Sequence, residues 1–358
     1  MSVYLDCNAT TPVRPEAAEA TARALALTGN PSSVHAAGRR ARAAIEAARE
    51  AVAALVGASP ASVTFTSGGT EANALAMESA VAAGCDRLLV LATEHDSVLE
   101  SARAAGEVVE LWPVYGDGLA DLGWLEARLA EGGRCLAAIA WANHETGVIQ
   151  PVAEVAALVR AAGGWLHTDA VQAAGKLPIA WPTVEADTLA LSAHKLGGPQ
   201  GVGALVAGSR ATLSRRLHGG GQERGHRAGT ENTPGIAGFG AAALQAAPSP
   251  EQAAWRDAAA ERLKAQAGAA VFGEAAPRLP HVLCFAAEGF PSELQVMLLD
   301  LAGVQVSAGS ACSSGKVKAS RVVGAMSRPE LAPFALRVSG GWATTQADWA
   351  RFADVWLD

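Results

Sequence analysis

Short apolar runs alternate with longer alanine-rich stretches along most of the chain. The apolar runs predict strands at Val63–Thr66, Arg87–Ala92, Val108–Pro113, Leu136–Ala142, Trp165–Thr168, Thr188–Leu191 and Val202–Ala207. The stretches between them predict helices at Ala36–Val56, Glu71–Ala83, Ser97–Ala105, Leu122–Leu129 and Val152–Ala162. Strands that alternate with helices predict an α/β fold, with a mostly parallel sheet that carries helices on both faces.

The regular alternation of predicted strands and helices ends at Ala247–Pro250, where two prolines interrupt the pattern. Beyond this point the sequence predicts helices at Glu251–Ala267 and Ser292–Leu301, and strands at Val282–Ala286, Val304–Ser307 and Leu336–Val338. A chain of 358 residues is too long for one ordinary core. We therefore predict a large domain at residues 13–246 and a smaller α+β domain made of residues 1–12 and 247–358.

The amino-acid composition argues against several classes of protein. The formal net charge is −7 and the pI is near 5.7, which argues against a protein that binds nucleic acid or a membrane surface. No apolar run reaches the roughly 18 residues that a membrane span needs, and the first residues do not resemble a secretion signal. The five cysteines are widely spaced and form no CxxC motif. We therefore expect reduced thiols and a cytoplasmic location.

Two polar residues at the ends of predicted strands carry the main chemical signal. Lys195 follows the strand Thr188–Leu191, and Asp169 follows the strand Trp165–Thr168. A lysine and an aspartate at two strand ends can serve one cofactor, pyridoxal phosphate. The lysine forms a Schiff base with the cofactor, and the aspartate keeps the pyridine nitrogen protonated so that the ring withdraws electrons.

A phosphate site is predicted where the strand Val63–Thr66 runs through a glycine-rich turn into a helix. There the backbone N–H groups around Gly69 and the hydroxyl of Thr70 can bind an anion, and Thr70 can also cap the helix. The alternative is an ordinary strand-to-helix turn. Ser192 and His194, just before the lysine, are further candidates to donate to the phosphate.

Three more residues are candidates to contact the cofactor ring. His95 follows the strand Arg87–Ala92, so it can lie on the pyridine ring and can transfer protons near neutral pH. Asn143 and Gln172 are candidates to hydrogen-bond the ring 3-oxygen, and Asn143 also to contact the substrate. In open parallel sheets, active sites gather at the carboxyl ends of the strands.

A series of longer motifs then points to one family. The motifs are Ala9–Pro12, Gly29–His35, Thr66–Asn73, Thr93–His95, Asn143–Gly147, His167–Gln172, His194–Lys195, Gly219–Gly225, Arg227–Asn232 and Ser310–Ser313. In these motifs the sequence resembles the cysteine desulfurases, which are class V aminotransferase-like enzymes of pyridoxal phosphate fold type I. The resemblance runs from Tyr4 to about Thr345.

The resemblance implies a homodimer in which Thr230 contacts the cofactor phosphate of the other subunit. It also implies that Cys312 is the sulfur-accepting nucleophile, in a loop at about residues 307–321 of the longer type found in this family. The small residues around Cys312 are typical of an exposed loop, whereas an inert surface cysteine is the alternative. Arg337 matches the family's arginine, and its guanidinium can bind the substrate carboxylate. Gly340 and Trp342 depart from the family pattern.

The expected activity is conversion of L-cysteine to L-alanine and a Cys312 persulfide, whose sulfur passes to acceptor proteins. Those acceptors would serve iron–sulfur cluster assembly or the synthesis of another sulfur-containing cofactor or tRNA. A selenocysteine lyase or another class V enzyme would share the cofactor site. A non-catalytic sulfur-transfer subunit would not need Lys195, and a nicotinamide dehydrogenase would need a GxGxxG motif that the sequence lacks.

Overall fold

Helices and strands alternate through the chain in the structure, a computed structural model that describes residues 2–106, 108–309 and 319–358. The strands are β1 (Val3–Tyr4), β2 (Val63–Thr66), β3 (Arg87–Leu91), β4 (Val108–Trp112), β5 (Cys135–Ala140), β6 (Trp165–Asp169), β7 (Thr188–Ser192), β8 (Gly203–Ala207), β9 (Ala270–Val271), β10 (Val282–Ala286), β11 (Val304–Gln305), β12 (Ser307–Ala308) and β13 (Ala335–Ser339). The helices are α1 (Pro15–Leu25), α2 (Ala36–Leu55), α3 (Gly69–Ala82), α4 (Asp96–Ala104), α5 (Leu122–Ala130), α6 (Val152–Ala161), α7 (Trp181–Val184), α8 (Thr233–Gln245), α9 (Gln252–Ala267), α10 (Ser292–Leu301), α11 (Arg321–Ala325) and α12 (Gln346–Leu357). The predicted mixed α/β architecture is confirmed.

The main sheet has seven strands in the order β2-β8-β7-β6-β5-β3-β4. Strand β8 runs antiparallel to both of its neighbours, and the other paired strands run parallel. The carboxyl ends of β3, β5, β6 and β7 therefore lie at the same edge of the sheet. Residues that directly follow these strands are brought together there.

Both faces of the main sheet are buried. In β3, Leu89 and Leu91 belong to one hydrophobic cluster, whereas Leu88 and Val90 belong to another. Successive side chains of a strand point to opposite faces, so this division places apolar packing above and below the sheet. It explains why the strands read as continuous apolar runs in the sequence.

A second sheet of four antiparallel strands has the order β12-β13-β10-β9. The predicted strand Val304–Ser307 is divided: β11 pairs with β1 in a separate parallel ribbon, and β12 joins the four-stranded sheet. Residues 63–207 form the main sheet and residues 270–339 the second one. The segment Ala247–Pro250 lies between these two stretches, and the domain boundaries themselves stay a prediction.

The sequence analysis did not predict five of the helices, namely α1, α7, α8, α11 and α12. Helix α8 has the sequence TPGIAGFGAAALQ, in which three glycines lower the helix propensity. Tertiary packing needs these glycines: a Cβ on Gly240 would lie 2.6 Å from Ala48 Cα of α2, and one on Gly238 would lie 2.6 Å from Pro199 Cγ. Close approach of neighbouring backbone and side chains therefore stabilises a helix that the local sequence disfavours.

We predict that Gly203→Ala destabilises the protein by about 1–3 kcal/mol, because its Cβ would lie 2.6 Å from the Gly68 carbonyl carbon and 2.7 Å from Leu191 O. Urea unfolding monitored by circular dichroism would measure the change. The matched control is Gly324→Ala in α11, where an added Cβ meets no atom within 4 Å. That variant should be neutral or more stable by up to about 1 kcal/mol. Equal stability of the two variants would contradict this account of Gly203.

Candidate active site

Residues that follow the strands of the main sheet line a cavity of about 530 Å³. It adjoins a second cavity of about 210 Å³ at the same sheet edge. The sequence-predicted residues that line one or both cavities are Gly69, Thr70, His95, Asp169, Gln172, Ser192, His194, Lys195 and Arg337. The fold therefore gathers at one place most of the side chains that the sequence identified separately.

The glycine-rich turn leads directly into helix α3, which has 14 residues and begins at Gly69. The first N–H groups of a helix have no partner within it, so those of Gly69 and Thr70 are suited to bind an anion. Crowding by a neighbouring side chain favours glycine here, since a Cβ on Gly69 would lie 2.9 Å from Val171 Cγ2. The N-cap is Gly68, without a side-chain cap, so Thr70 lies in the first turn of the helix and does not cap it.

Asp169 ends β6 and has both carboxylate oxygens engaged. Oδ1 accepts a hydrogen bond from Val171 N at 2.9 Å, and Oδ2 accepts one from Asn73 Nδ2 at 2.8 Å. The same Asn73 amide donates to Ser97 Oγ at 2.8 Å, and Asn73 Oδ1 lies 3.0 Å from His167 Nε2. Because both amide hydrogens of Asn73 are donated, its oxygen must accept, and His167 carries its proton on Nε2.

His167 is fully buried, and burial lowers its pKa to about 3. Its Nδ1 lies 2.9 Å from Thr188 Oγ1 and accepts the hydroxyl proton of that residue. A neutral histidine thus fixes the amide of Asn73, and Asn73 fixes the carboxylate of Asp169. This arrangement holds Asp169 in one orientation towards the cavity that it lines.

His95 is connected to the same network through Ser97. The backbone N–H of Ser97 donates to His95 Nδ1 at 3.1 Å, and Ser97 Oγ lies 2.8 Å from the same nitrogen. Nδ1 is therefore an acceptor, and the ring proton lies on Nε2. Burial and the neighbouring His144 lower the pKa of His95 to about 4, so the ring is neutral at physiological pH.

Lys195 ends a 3₁₀ turn at Ala193–Lys195 that directly follows β7. Its Nζ donates to Asn8 O and to Ala9 O, the latter at 2.7 Å. The turn is held from outside: Thr11 N donates to His194 O at 2.9 Å, and Arg14 Nε donates to Leu196 O at 2.9 Å. The N-terminal segment thus anchors the lysine amine and the backbone that carries it.

His194 contributes its ring to the larger cavity beside Lys195. Its Nδ1 lies 3.2 Å from Thr10 Oγ1. Burial and the charge of Lys195 lower the pKa of His194 to about 4. It therefore offers neutral hydrogen-bonding groups rather than a positive charge.

Arg337 reaches the cavity from β13 of the second sheet. Its Nη2 pairs with Asp6 Oδ1 at 2.7 Å, and its Nη1 donates to His144 O at 3.2 Å. The Nε atom is buried and has no hydrogen-bond partner within the described residues. A guanidinium with a buried, unsatisfied donor fits the predicted carboxylate site.

Asn143, unlike the residues above, does not line either cavity. Its Oδ1 accepts from the backbone N–H groups of Glu145 and Thr146, each at 2.9 Å, and its Nδ2 donates to Thr93 O at 2.9 Å. The side chain closes a turn, and its cofactor and substrate roles stay predictions. Thr230 is exposed in the single chain, so its predicted contact across a dimer also stays a prediction.

Two cavity features were missed by the sequence interpretation. His144 lines both cavities, and its ring meets that of His95 edge to face with 5.2 Å between the centroids. The backbone of Asn8 and Ala9 supplies acceptors to Lys195. His144 stands beside Asn143 in the quoted motif, but sequence alone did not show which of the two faces the cavity. Cys312 lies outside the described residues.

Comparison with known proteins identifies the family. The class V aminotransferase family model matches residues 3–352. The chain belongs to the class V aminotransferase family. Within that family it is 44% identical to a cysteine desulfurase of Cereibacter sphaeroides over 99% of this chain and 94% of the relative.

Two solved structures show the same similarity. A NifS-like protein from Rickettsia africae has a TM-score of 0.91 and 30% identity, over 99% of this chain and 98% of that one. A structure described as SspA in complex with cysteine has a TM-score of 0.82 and 29% identity, over 94% of this chain and 98% of that one. The predicted resemblance to the cysteine desulfurases of this family is confirmed.

Class V aminotransferase-family cysteine desulfurases depend on pyridoxal phosphate, and the chemistry of this cavity fits that group. Helix N–H groups at Gly69 and Thr70 suit its phosphate, and the oriented Asp169 carboxylate suits a protonated ring nitrogen. Lys195 offers an amine at the same cavity. The unsatisfied Arg337 Nε suits the carboxylate of an amino acid bound to the cofactor.

The two departures from the family pattern are accommodated next to Lys195. Trp342 donates from Nε1 to Pro12 O at 2.8 Å, and the Arg14 guanidinium lies 5.2 Å from its ring centroid. Gly340 leaves room for the side chain of Gln252, which a Cβ would displace. Trp342 therefore supports the segment whose Arg14 holds the Leu196 carbonyl.

We predict that the free energy of unfolding falls as pH is lowered from 6.5 to 5. The pKa values of His95, His167 and His194 are about 4, 3 and 4 in the folded protein, against about 6.5 in an unfolded chain. The unfolded chain therefore binds more protons in this window, so stability is lost on acidification. Glu94, whose pKa burial raises to about 8, has the opposite effect but is a single group.

His167→Gln tests this prediction, because glutamine can still donate to Asn73 but does not titrate. The slope of unfolding free energy against pH should decrease by about one proton, or roughly 2 kcal/mol between pH 6.5 and 5. Urea unfolding at several pH values measures the slope independently of any constant loss of stability. An unchanged slope would show that His167 is not buried in its neutral form.

Proposed function

We propose that this protein is a pyridoxal phosphate-dependent cysteine desulfurase that converts L-cysteine to L-alanine and leaves the sulfur as a persulfide on Cys312. The observation that carries the proposal is the position of Lys195 at two adjoining cavities, of which one is also lined by Asp169 and the other by Arg337. It is supported by the 44% identity to a cysteine desulfurase over 99% of the chain.

When bound, pyridoxal phosphate supplies an electron sink for negative charge that develops at the substrate Cα. Arg337 binds the substrate carboxylate and so fixes the orientation of Cα. Lys195, held by the Asn8 and Ala9 carbonyls, is the base that takes the Cα proton. His95, neutral with its proton on Nε2, lines both cavities and would donate that proton where negative charge develops.

Sulfur transfer requires a thiolate at Cys312. The Cys312 sulfur attacks the substrate sulfur, the substrate carbon–sulfur bond breaks, and a sulfur–sulfur bond forms on the protein. The substrate carbon takes up a proton and becomes the methyl group of L-alanine. L-cysteine and one thiol thus give L-alanine and one persulfide, with no added oxidant or reductant.

The other cysteines are poor candidates for this step. Cys7, Cys85, Cys135 and Cys284 are all buried, and burial raises the pKa of each thiol. A raised pKa leaves little thiolate at neutral pH, and thiolate is the reactive form. This supports assigning the sulfur nucleophile to Cys312.

The further parts of the proposal concern partners and location. We propose that the protein acts as a homodimer in which Thr230 reaches the cofactor phosphate of the other subunit. The persulfide sulfur passes to an acceptor protein, in the cytoplasm, for iron–sulfur cluster assembly or another sulfur-requiring synthesis. No helix of the described residues is long and apolar enough to cross a membrane.

Lys195→Ala should abolish alanine formation from L-cysteine and leave cofactor bound only non-covalently. Borohydride reduction followed by mass spectrometry would detect the covalent link in the wild type and its loss in the variant. Lys264→Ala is the control, since this lysine is on the surface and pairs with Glu261 and Glu274. Alanine production by the Lys195 variant at the wild-type rate would refute the assignment.

Cys312→Ser should still bind cofactor and L-cysteine, seen as a substrate-dependent change in the absorption of the bound cofactor. It should form neither persulfide nor sulfide, because a hydroxyl is a far weaker sulfur nucleophile than a thiolate. Cys85→Ala, which removes a buried thiol, is the matched control and should keep both steps. Sulfide release by the serine variant would assign the chemistry to another thiol.

A further inference from the structure

Lys176 is a second lysine near Lys195 that the proposed mechanism does not use. It lies in the turn that follows β6, seven residues after Asp169 and four after Gln172. We propose that Lys176 is a positioning residue that fixes the side-chain amide of Gln172 with its NH₂ group towards the cofactor cavity. The inference rests on the proposed function, because it takes pyridoxal phosphate as the ligand of that cavity.

The geometry consists of two hydrogen bonds through one amide. Lys176 Nζ donates to Gln172 Oε1 at 2.9 Å. On the other side, Gln172 Nε2 donates to Asn8 O at 3.0 Å. Asn8 O also accepts from Lys195 Nζ, so the two lysines are connected through Gln172 and this carbonyl.

The direction of the amide follows from what each group can do. An ammonium group has three donors and no acceptor, so the Gln172 atom that faces it must be the oxygen. The NH₂ group then points the opposite way, to a backbone carbonyl that can only accept. Asn8 O uses one hydrogen of this NH₂ group, and Gln172 lines both cavities. The second hydrogen is thus available to an acceptor on the ligand, such as the ring 3-oxygen.

The charged group of Lys176 has little choice of partner. Gln172 is 5% exposed, and Gln172 Oε1 is the single hydrogen-bond partner of the Lys176 amine within the described residues. Burial and the charge of Lys195 lower the pKa of Lys176 to about 7. Lys176 itself is half-buried, and its one hydrogen bond within the described residues orients the amide of Gln172.

The backbone fixes the place of the lysine as well. Gly175 has a φ of +69°, and a Cβ there would lie 2.6 Å from Ala246 Cβ and 2.9 Å from Leu196 Cδ2. Lys176 N donates to Ala173 O at 3.0 Å in the same turn. The tight turn places the Lys176 amine within hydrogen-bond distance of Gln172.

The test compares equilibrium binding of two ligands to the full-length protein after cofactor removal. One ligand is pyridoxal phosphate, and the other is its analogue without the 3-hydroxyl group. Titrations at pH 6, below the pKa of Lys176, keep the side chain charged. The wild type should bind pyridoxal phosphate more tightly than the analogue. In Lys176→Met the ratio of the two dissociation constants should shrink by about tenfold, which is the effect of one hydrogen bond to a charged oxygen.

Two further variants separate orientation from other effects of the charge. Lys176→Arg keeps a donor-only group and should keep most of the preference. In a Gln172→Leu background, Lys176→Met should cause no further loss, because the proposed effect passes through Gln172. Lys264→Met, which removes a surface lysine paired with Glu261 and Glu274, is the matched control and should behave as the wild type.

Several results would overturn the inference. Lys176→Met could weaken binding of both ligands equally, as a general loss of charge or structure would. It could retain the wild-type preference, or reduce the preference equally in the Gln172→Leu background. A wild type with no preference would also overturn it. Alanine formation from L-cysteine, measured on the reconstituted wild type, reports separately on the proposed function.

Discussion

The active site depends on one carboxylate, Asp169, being held still inside the protein. Asn73 donates to it, and the fully buried neutral His167 leaves Asn73 only one orientation. Through Ser97, the same chain of hydrogen bonds determines which nitrogen of His95 carries a proton. A charge and a proton donor at the same cavity are thus set by one network. Asn73 of helix α3 and His167 of strand β6 are fully buried, so water does not compete for the hydrogen bond between them.

The N-terminal segment connects this network to the second sheet. Asp6 pairs with Arg337 of β13, and Thr11 donates to the His194 carbonyl beside Lys195. Between them, the carbonyls of Asn8 and Ala9 accept from the Lys195 amine. A short stretch without regular structure therefore sets the distance between the lysine of one sheet and the arginine of the other. The acceptors for Lys195 are backbone carbonyls, which every residue has. Side-chain motifs in the sequence therefore do not show that this segment holds the lysine.

Much of the site could be predicted from the sequence, because the carboxyl ends of parallel strands lie at one edge of the sheet. Lys195, Asp169 and His95 each follow an apolar run, and those runs became β7, β6 and β3. Asn143 shows the limit of this reasoning. It also follows a strand, but its oxygen closes a turn onto Glu145 and Thr146, and the adjacent His144 faces the cavity instead. Neighbouring residues in a turn direct their side chains differently, and the local sequence does not show which of the two faces the cavity.

By itself, the sequence determined the alternation of strands and helices, the family, and the residue types that suit pyridoxal phosphate, because periodicity and motif order are local properties. The tertiary structure decided what depends on contacts between distant segments. The glycine-rich helix α8 exists because Gly238 and Gly240 allow close packing against neighbouring segments. The tautomer of His167 follows from Asn73, and the direction of the Gln172 amide from Asn8, both of which are distant in sequence, and from Lys176. The tautomer of His95 follows from Ser97, two residues along, once the start of helix α4 brings its N–H to the ring. Such choices need every partner in place, and only the folded chain brings the partners together.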